Sequence, residues 1–540
     1  MVFFIIIFSI LFCLLAWRNL ELAISLLIFL LPSYLIRFQV GPLPSTLLEV
    51  MIWLVFLVWF IANFYELKTN VRESLRRLVG KSADGRIKIE YPFSREIIFL
   101  LIISFVATGV SGFSNSALGI WKAYFFDPIL LYIVVLNVFG SSVILNKPRT
   151  QSEGSEESII HEQTNYRSFA IAQDDKISRI LWPLCLSALA VALLAIYQEI
   201  TGNLIDNPFW AAAATRRAVS FFGYPNAVGL YLGPLSLILF GYIIYLVKDA
   251  VTGLKIFNFQ FSIFKQFSIF NFQTIKIIFL FFTIVFSFLA IIFAKSAGAI
   301  LGVVAGLAVF CLLASKRTRI AVIVIITLAA IGCAAVPLTR HSVLDKLMLR
   351  DFSGTVRRIG WNDTWKMLSD GRLIFGAGLA NFQKTVAPYH QRGFFVSDGT
   401  QDFWERLATD TALRDRSWQP LEIYLYPHNI FLNFWSELGL VGMILFIWMI
   451  GKFFYVAFKN IENCKLPPPW RGPAVAGKIE NLNDSKSIKY LIIGLISSMV
   501  TIVIHGLVDV PYFKNDLAVM FWLFIAMLSL INNYQTKNSL

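Results

Sequence analysis

The chain has 540 residues, of which 57% are hydrophobic and only 15% are charged, a composition far outside the range of soluble domains. Its formal net charge of +14 is concentrated in short loops between apolar runs, so membrane topology accounts for it without a nucleic-acid partner. These properties exclude an ordinary soluble enzyme and indicate a polytopic helical membrane protein.

Apolar runs recur along the chain, and a helix needs roughly 17–25 residues to cross a bilayer. The predicted spans are 2–17, 21–36, 46–64, 95–112, 123–145, 179–198, 224–247, 275–294, 297–314, 320–337, 431–458, 488–510 and 517–533. These are thirteen candidates, and twelve is an equally fair count because the first two are short. Residues 1–17 are expected to remain as a span, since no small-residue cleavage site follows them. The predicted fold class is an all-α, polytopic transmembrane helical bundle with one large, mainly helical extracytoplasmic loop.

Lysine and arginine in short loops predict which loops are cytoplasmic. The basic segments, which alternating spans put on one side, are 65–94, 146–178, 248–274, 315–319 and 459–487. The opposite, extracytoplasmic side then carries 113–122, 199–223, the turn at Lys295, the long loop 338–428 and 511–516. We therefore expect membrane lipids around the bundle and chemistry on the side of the long loop.

The chain divides into three predicted parts. Residues 1–337 form the first ten helices, with low-complexity cytoplasmic loops at 146–178 and 248–274. Residues 338–428 form the large loop, and 429–540 form the C-terminal transmembrane helices. A proline-rich stretch at 466–478 cannot be helical.

Two arginines, Arg216 and Arg217, precede the Pro225-Asn226 start of a span on the extracytoplasmic side. Arginine is costly at membrane depth, and its planar fork suits phosphate oxygens. The alternative is interfacial snorkelling of a helix-flanking arginine, and for Asn226 an ordinary helix N-cap.

A second arginine pair, Arg357 and Arg358, lies in the long loop just before Trp361 and Trp365. The two tryptophans are four residues apart and share one helix face, which at headgroup level would aim the arginines at lipid phosphates. The alternative is a solvated helix face with a surface salt bridge. Downstream, residues 375–382 form a glycine-rich turn.

The long loop ends in Pro427-His428-Asn429, and Gly439-Leu440-Val441-Gly442 follows after nine intervening residues. A histidine can accept a proton near neutral pH, so His428 could deprotonate an acceptor hydroxyl beside phosphate-binding arginines. Alternatively, His428 is a structural hydrogen-bonding group, Asn429 is a helix cap, and the glycines allow close helix packing.

His505 and Asp509 are four residues apart near the extracytoplasmic end of the predicted span 488–510. An intramembrane pair of this kind predicts a functional site, and the alternative is a pair that satisfies itself or an Asp509 that reaches an arginine. Lys295 is a further cation on the same side.

Several motifs are absent from the sequence. It contains no Walker A sequence, no Rossmann glycine fingerprint and no His-Glu-x-x-His or Cys-x-x-Cys pattern. The extracytoplasmic loops 37–45 and 113–122 carry no acidic residue. We therefore expect no cofactor and no metal site, and positive side chains would neutralise any phosphate.

The order of these motifs resembles the O-antigen ligase/polymerase superfamily, membrane glycosyltransferases that act on undecaprenyl-diphosphate-linked glycans outside the bacterial cytoplasmic membrane. Members typically carry an arginine shortly before a Pro-Asn helix start, as Arg216 or Arg217 does here. Their outer loop carries Arg-x-x-x-Trp and then Gly-x-Gly-x-x-x-Phe, matched by 357–361 and 376–382.

In the same family the loop ends in His-Asn, nine residues and Gly-x-x-Gly, which 428–442 reproduces. The resemblance covers roughly residues 200–445. One departure is at Lys295-Ser296-Ala297-Gly298, where members usually carry Ser-Arg-Gly and alanine replaces the arginine. Either Lys295 substitutes for that arginine, without its bidentate fork, or the diphosphate is held differently.

The resemblance implies a metal-independent glycan transfer from an undecaprenyl-diphosphate-linked donor to an acceptor hydroxyl of a glycolipid or glycan, facing the periplasm. The implied catalytic residues are His428, Arg216 and Arg217. The substrate-binding residues that the resemblance implies are Arg357, Arg358 and Lys295, and the residues themselves add Asn226, Asn429, Asp509 and His505 as candidates. An O-antigen ligase would join a lipid-linked polysaccharide to a lipopolysaccharide core or similar acceptor. The alternatives are an O-antigen or exopolysaccharide polymerase of the same superfamily and a bicarbonate-like small-anion transporter.

Overall fold

The computed structural model describes residues 2–78, 91–140, 156–256, 272–336, 343–346, 348–397, 400, 402–464 and 482–539. Within these residues, ten helices are long and apolar enough to cross a membrane. The prediction of an all-α, polytopic helical bundle is confirmed.

The helices of the described residues follow the order of the predicted spans, with additional short helices in the loops. Their bounds are α1 Val2–Arg18, α2 Leu20–Phe29, α3 Leu47–Leu78, α4 Ser94–Val110, α5 Asn115–Trp121, α6 Asp127–Gly140, α7 Glu156–Thr201, α8 Pro208–Ala211, α9 Pro225–Ile256, α10 Phe272–Phe293, α11 Ala297–Ala314, α12 Lys316–Ala335, α13 Phe352–Ser369, α14 Phe382–Val386, α15 Phe403–Thr409, α16 Thr411–Ser417, α17 Ile430–Asn463, α18 Leu482–Gly506 and α19 Asn515–Ser539. A π-helical turn, Lys122–Phe126, joins α5 to α6.

Three of the thirteen predicted spans are shorter helices. They are α1 and α4, with 17 residues each, and α2, with 10 residues. At a rise of about 1.5 Å per residue, α2 covers only about half of a hydrocarbon core. The predicted span 21–36 is therefore corrected: its helix ends at Phe29 and a 3-10 turn, Leu31–Leu35, follows with a proline at its start.

The predicted cytoplasmic loops are shorter than the sequence suggested. Helix α7 begins at Glu156, inside the predicted loop 146–178, and residues 146–155 lie outside the described residues. Helices α9 and α10 extend into the predicted loop 248–274, of which only residues 257–271 lie outside the described residues. The proline-rich stretch 466–478 also lies outside it.

The bundle is densest where α9, α11 and α18 pack together. A Cβ on Gly241 of α9 would lie 2.8 Å from the Gly494 Cα of α18, so small residues let these two backbones meet. Helix α19 packs mainly against α6 and α17, with Trp522 only 1% exposed. This packing holds the ends of α9 and α18 in a fixed relation, and the polar side chains described below sit at those ends.

We call the end of the bundle that carries residues 343–429 the loop end. The loop contains α13 to α16 and a hairpin of β3, Gly393–Phe395, and β4, Trp418–Pro420, which pair antiparallel. A small apolar core of the loop contains Met367, Leu368, Ala377, Phe382 and Val386. A second hairpin, β1 Arg37–Val40 with β2 Leu43–Thr46, precedes α3.

Candidate active site at the loop end of the bundle

His428 occupies the last position before α17 and has a left-handed backbone, with φ 48°. The next residue, Asn429, is the N-cap: its side-chain oxygen accepts hydrogen bonds from the backbone N–H groups of Phe431 and Leu432, each 3.0 Å long. The Asn429 amide also donates to the Leu507 carbonyl at 3.0 Å. Asn429 thus ties the start of α17 to the turn after α18 and fixes the position of His428.

The imidazole of His428 faces the carboxylate of Asp509. Nδ1 of His428 and Oδ1 of Asp509 are 3.7 Å apart, an ion-pair distance too long for a hydrogen bond. Asp509 is 1% exposed. Burial acts to raise the pKa of this carboxyl, but the imidazoles of His428 and His505 outweigh it and hold the pKa at about 2. An ionised Asp509 therefore lies beside His428, where it would stabilise a protonated imidazole.

Asn226 and Arg217 extend this pair into a network. The Asn226 amide donates to Oδ2 of Asp509 at 3.1 Å, and the Arg217 guanidinium donates to the Asn226 side-chain oxygen at 3.2 Å. Arg217 is fixed by further bonds to the carbonyls of Ala294 and Lys295, at 3.0 and 3.3 Å. We call Arg217, Asn226, His428 and Asp509 the polar network. Three separate segments of the chain build it: the one that carries Arg217 and Asn226, and those that carry His428 and Asp509.

Arg216 and Arg217 are adjacent in sequence but differ in their contacts. The Arg216 guanidinium donates to the carbonyls of Glu199, at 2.8 Å, and Ala211, at 3.2 Å. The bond to Glu199 caps the C-terminal end of α7, whose last carbonyls lack helical partners, and the bond to Ala211 lies at the end of α8. Arg217 faces the polar network and Arg216 does not.

The second arginine pair is divided in the same way. Arg357 donates to the Val508 carbonyl at 2.8 Å and also bonds Ser353, so it lies beside the turn that carries Asp509. Burial, and then the neighbouring Arg357 guanidinium, lower the pKa of Arg217. Arg358 follows about 100° further round α13 and is exposed. Two cations, Arg217 and Arg357, thus lie close together at the site.

The tryptophans of α13 have different surroundings. Trp365 is 50% exposed and packs edge-on against Trp435 of α17, with ring centroids 5.7 Å apart. Trp361 is half-buried. The contact between Trp365 and Trp435 joins the long loop to the first turns of α17.

The turn at Lys295 contributes its backbone to the site. Lys295 has φ 50° and an exposed side chain, and its carbonyl accepts from Arg217. In the described part of the chain, no hydrogen bond or ion pair involves its ammonium. Gly298, on the first turn of α11, packs against His505, because a Cβ there would lie 2.8 Å from the His505 ring.

The relation between His505 and Asp509 differs from the predicted one. Helix α18 ends at Gly506, so Asp509 lies in the following turn and not on the same helix as His505. The predicted span 488–510 is corrected accordingly. His505 is 2% exposed, and its Nδ1 has no hydrogen-bond partner among the described residues. Two histidines therefore approach Asp509 from different elements.

A cleft in the long loop opens beside His428. Its lining includes Arg357, Asp363, His390, Glu422, Tyr424 and His428. The rings of Tyr424 and Tyr426 stand edge-on to the imidazole, with centroids 5.0 and 5.1 Å away. These tyrosines were not predicted as site residues, although their spacing of two residues immediately before Pro427-His428 is typical of an extended segment that presents both rings on one side.

The glycine-rich turn predicted at 375–382 joins the loop to the bundle. Gly376, with φ 66°, lies against the backbone of Ser436, and the Ala377 N–H donates to the Ser436 carbonyl at 2.6 Å. Gly439 interrupts α17 with φ 79°, and a Cβ there would collide with the Ile374 carbonyl oxygen. These glycines therefore permit contact between the loop and α17, whereas the sequence favoured a tight turn at Gly376 and close helix packing at Gly439.

Comparison with known proteins gives one family. The sequence model of the O-antigen ligase family matches residues 282–447. This segment contains Lys295, Arg357 and His428, whereas Arg217 and Asp509 of the polar network lie outside it. No curated protein matches the chain. Together with the ten candidate spans, the match supports the assignment of this multi-pass membrane protein to the O-antigen ligase superfamily.

Proposed function

We propose that this protein is an O-antigen ligase-like glycosyltransferase of the bacterial cytoplasmic membrane. It would transfer a glycan from an undecaprenyl-diphosphate donor to an acceptor hydroxyl on the periplasmic side. The observation that carries the proposal is the polar network, which brings a histidine, an ionised aspartate and an arginine together from segments far apart in sequence. The neighbouring Arg357 adds a second positive charge.

In the proposed reaction, His428 accepts the proton of the acceptor hydroxyl as its oxygen attacks the anomeric carbon. The bond from that carbon to the diphosphate oxygen breaks, and the lipid diphosphate leaves with the bonding electrons. Because Asp509 faces Nδ1 of His428, Nε2 is the nitrogen that would take the proton. The negative charge of Asp509 would then stabilise the imidazolium that forms. Arg217 and Arg357 would stabilise the charge that develops on the departing diphosphate.

We assign the acceptor to the cleft in the long loop. Glu422 supplies carboxylate oxygens, which accept hydrogen bonds from sugar hydroxyls, and Tyr424 supplies an apolar ring. His428 lines the same cleft, so a hydroxyl bound there would reach its imidazole. The diphosphate would then lie on the opposite side of His428, near Arg217.

The test is deletion of the gene followed by analysis of the surface glycan and of the lipid-linked intermediates. Accumulation of full-length lipid-linked polymer, with loss of the finished glycan, supports a ligase. Accumulation of single lipid-linked repeats indicates a polymerase that uses the same site. A normal surface glycan contradicts both activities.

Complementation connects the phenotype to the polar network. The wild-type gene should restore the glycan, and His428→Ala or Arg217→Ala should not, at equal protein level in the membrane. Arg358→Ala is the matched control, because Arg358 is exposed and lies on another side of α13 from Arg357. Restoration by His428→Ala would contradict the assigned role of the histidine.

A further inference from the structure

Lys514 lies in the turn between α18 and α19, at the loop end, and its ammonium is surrounded by aromatic rings. Nζ lies 5.1 Å from the ring centroid of Tyr34 and 4.9 Å from those of Phe222 and Tyr224. Tyr34 belongs to the 3-10 turn after α2, and the other two rings precede α9. Two separate parts of the chain therefore form one aromatic cage around a cation that a third part supplies.

The cage leaves the ammonium without an acceptor. In the described part of the chain, no oxygen accepts a hydrogen bond from Lys514 Nζ, and no carboxylate lies within 4.0 Å of it. Burial lowers the pKa of Lys514, whereas the carboxylates of Asp516 and Asp509 favour its charged form. The Tyr34 hydroxyl, on a side chain 3% exposed, also has no hydrogen-bond partner among the described residues. Aromatic faces attract a cation but, unlike a carboxylate, do not accept conventional hydrogen bonds from its N–H groups. The N–H groups of Lys514 therefore remain available to a ligand.

The cage shares a wall with the polar network. Burial, and then the neighbouring Tyr426 phenol, raise the pKa of Tyr224. The Tyr426 ring in turn stands 5.1 Å from the His428 ring. Phe222 and Tyr224 also belong to the same short segment as Arg217 and Asn226. One segment therefore contributes both to the network and to the cage.

We propose that Lys514 is a further anion-binding residue of this site, whose caged ammonium binds a phosphate oxygen of the lipid diphosphate. This inference rests on the proposed function. The ammonium would act as a point charge on one phosphate while the planar guanidinium of Arg217 binds from another direction. Tyr34, Phe222 and Tyr224 position the lysine and exclude water around it.

The test is direct binding of an isoprenyl diphosphate to the full chain in phosphatidylcholine nanodiscs. Geranylgeranyl diphosphate is the probe, and geranylgeraniol, which lacks the diphosphate, is its control. Loss of one charge-assisted hydrogen bond in Lys514→Met should weaken diphosphate binding by about tenfold or more. Binding of the alcohol should not change. The matched control is Lys384→Met, which removes the same charge from an exposed position on α14 and should leave diphosphate binding unchanged.

A structural role gives a different result. If Lys514 only stabilises the fold through its rings, Lys514→Met lowers the unfolding temperature while the folded fraction binds the diphosphate like wild type, and the inference is overturned. Lys514→Arg keeps the charge and should retain part of the binding. A second measurement tests whether Lys514 binds a lipid headgroup instead, with half of the phosphatidylcholine replaced by phosphatidylglycerol. If phosphatidylglycerol competes with the diphosphate in the wild type but not in Lys514→Met, the assignment of Lys514 to the donor is overturned.

The binding assay also separates this inference from the proposed function, because it requires no transfer. A wild-type protein that transfers no glycan, with diphosphate binding still dependent on Lys514, contradicts the proposed function alone. A wild-type protein that transfers glycan, with donor KM and probe binding unchanged in Lys514→Met, contradicts the role of Lys514 alone.

Discussion

The two walls of the candidate site differ in how they are built. The bundle wall contains Asp509 and Asn226, which are joined directly at 3.1 Å and lie at the ends of tightly packed helices. The loop wall contains Glu422 and Tyr424, and the Tyr424 side chain is 42% exposed. A buried, hydrogen-bonded wall holds its groups in one geometry, whereas a half-exposed aromatic wall adapts to different partners. We infer that the bundle wall binds the invariant lipid diphosphate and that the loop wall accommodates the acceptor.

The sharpest test of this difference compares two histidines. Each lies beside a buried carboxylate, one in the bundle wall and the other in the loop wall. His428 lies 3.7 Å from Asp509 of the bundle wall, and His390 lies 3.5 Å from Asp363 of the loop wall. Loss of a general base typically costs about 10²–10⁴ in rate, so His428→Ala should lower the transfer rate by that factor. His390→Ala should lower it only a few-fold. The measurement is glycan transfer in membranes with matched protein levels, and equal losses in both variants would contradict the comparison.

The adjacent arginines test the bundle wall next. Arg217→Ala removes a guanidinium from the polar network, and we expect donor kcat/KM to fall by about ten- to a hundredfold, the value of one charge-assisted hydrogen bond. Arg216→Ala removes bonds to the end of α7 and should instead lower the unfolding temperature with kcat/KM nearly retained. Kinetics and thermal unfolding measured on both proteins decide between the roles. The reverse pattern would show that the two arginines have been assigned incorrectly.

Two glycines of α17 test the junction between the walls. Gly439→Ala places a side chain at φ 79° against the Ile374 carbonyl, and we expect it to destabilise the protein by about 2 kcal/mol or more. Gly451 lies on the same helix with open space around it, so Gly451→Ala should stabilise by about 0.5–1 kcal/mol. Thermal unfolding in one detergent measures both. A neutral Gly439→Ala would mean that the loop does not depend on this contact.

The smallest effects are expected for the two arginines of α13. Arg357→Ala removes a cation that bonds the Val508 carbonyl, and we expect a few-fold rise in donor KM because Arg217 remains in place. Arg358→Ala should change KM by less than the error of the assay, since its side chain is exposed. A larger change in donor KM in Arg358→Ala than in Arg357→Ala would show that Arg358, and not Arg357, binds the donor.

The sequence identified much of the site because the chemistry of single residues is visible in it. His428, Asn226 and Asp509 stand out as polar groups at the ends of apolar runs. The choice between Arg216 and Arg217, or between Arg357 and Arg358, depends on side-chain direction, which the path of the loop and the phase of α13 determine. Lys514 and its rings were not identified, because aromatic residues beside a lysine at a helix end are typical of any membrane interface.

The end of α18 shows the same limit for secondary structure. The spacing of His505 and Asp509 fits one helical turn and favours a single helix, whereas Gly506 and Pro511 are typical of a helix end. Asp509 leaves the helix because its carboxylate also accepts from Asn226 and from the Val510 N–H. These contacts between distant segments outweigh local helix propensity, and the sequence carries no local signal for them.

The interruption of α17 at Gly439 has a consequence for how substrates enter. The Leu440 N–H, which the broken helix leaves free, donates to the Ile374 carbonyl of the loop at 3.0 Å. A loop that swung away as a hinged lid would leave this donor unsatisfied, at a cost of several kcal/mol where water is scarce. The loop and the first turns of α17 should therefore move as one body. Under the proposed function, the acceptor would then reach His428 along the cleft without a hinged opening of the loop.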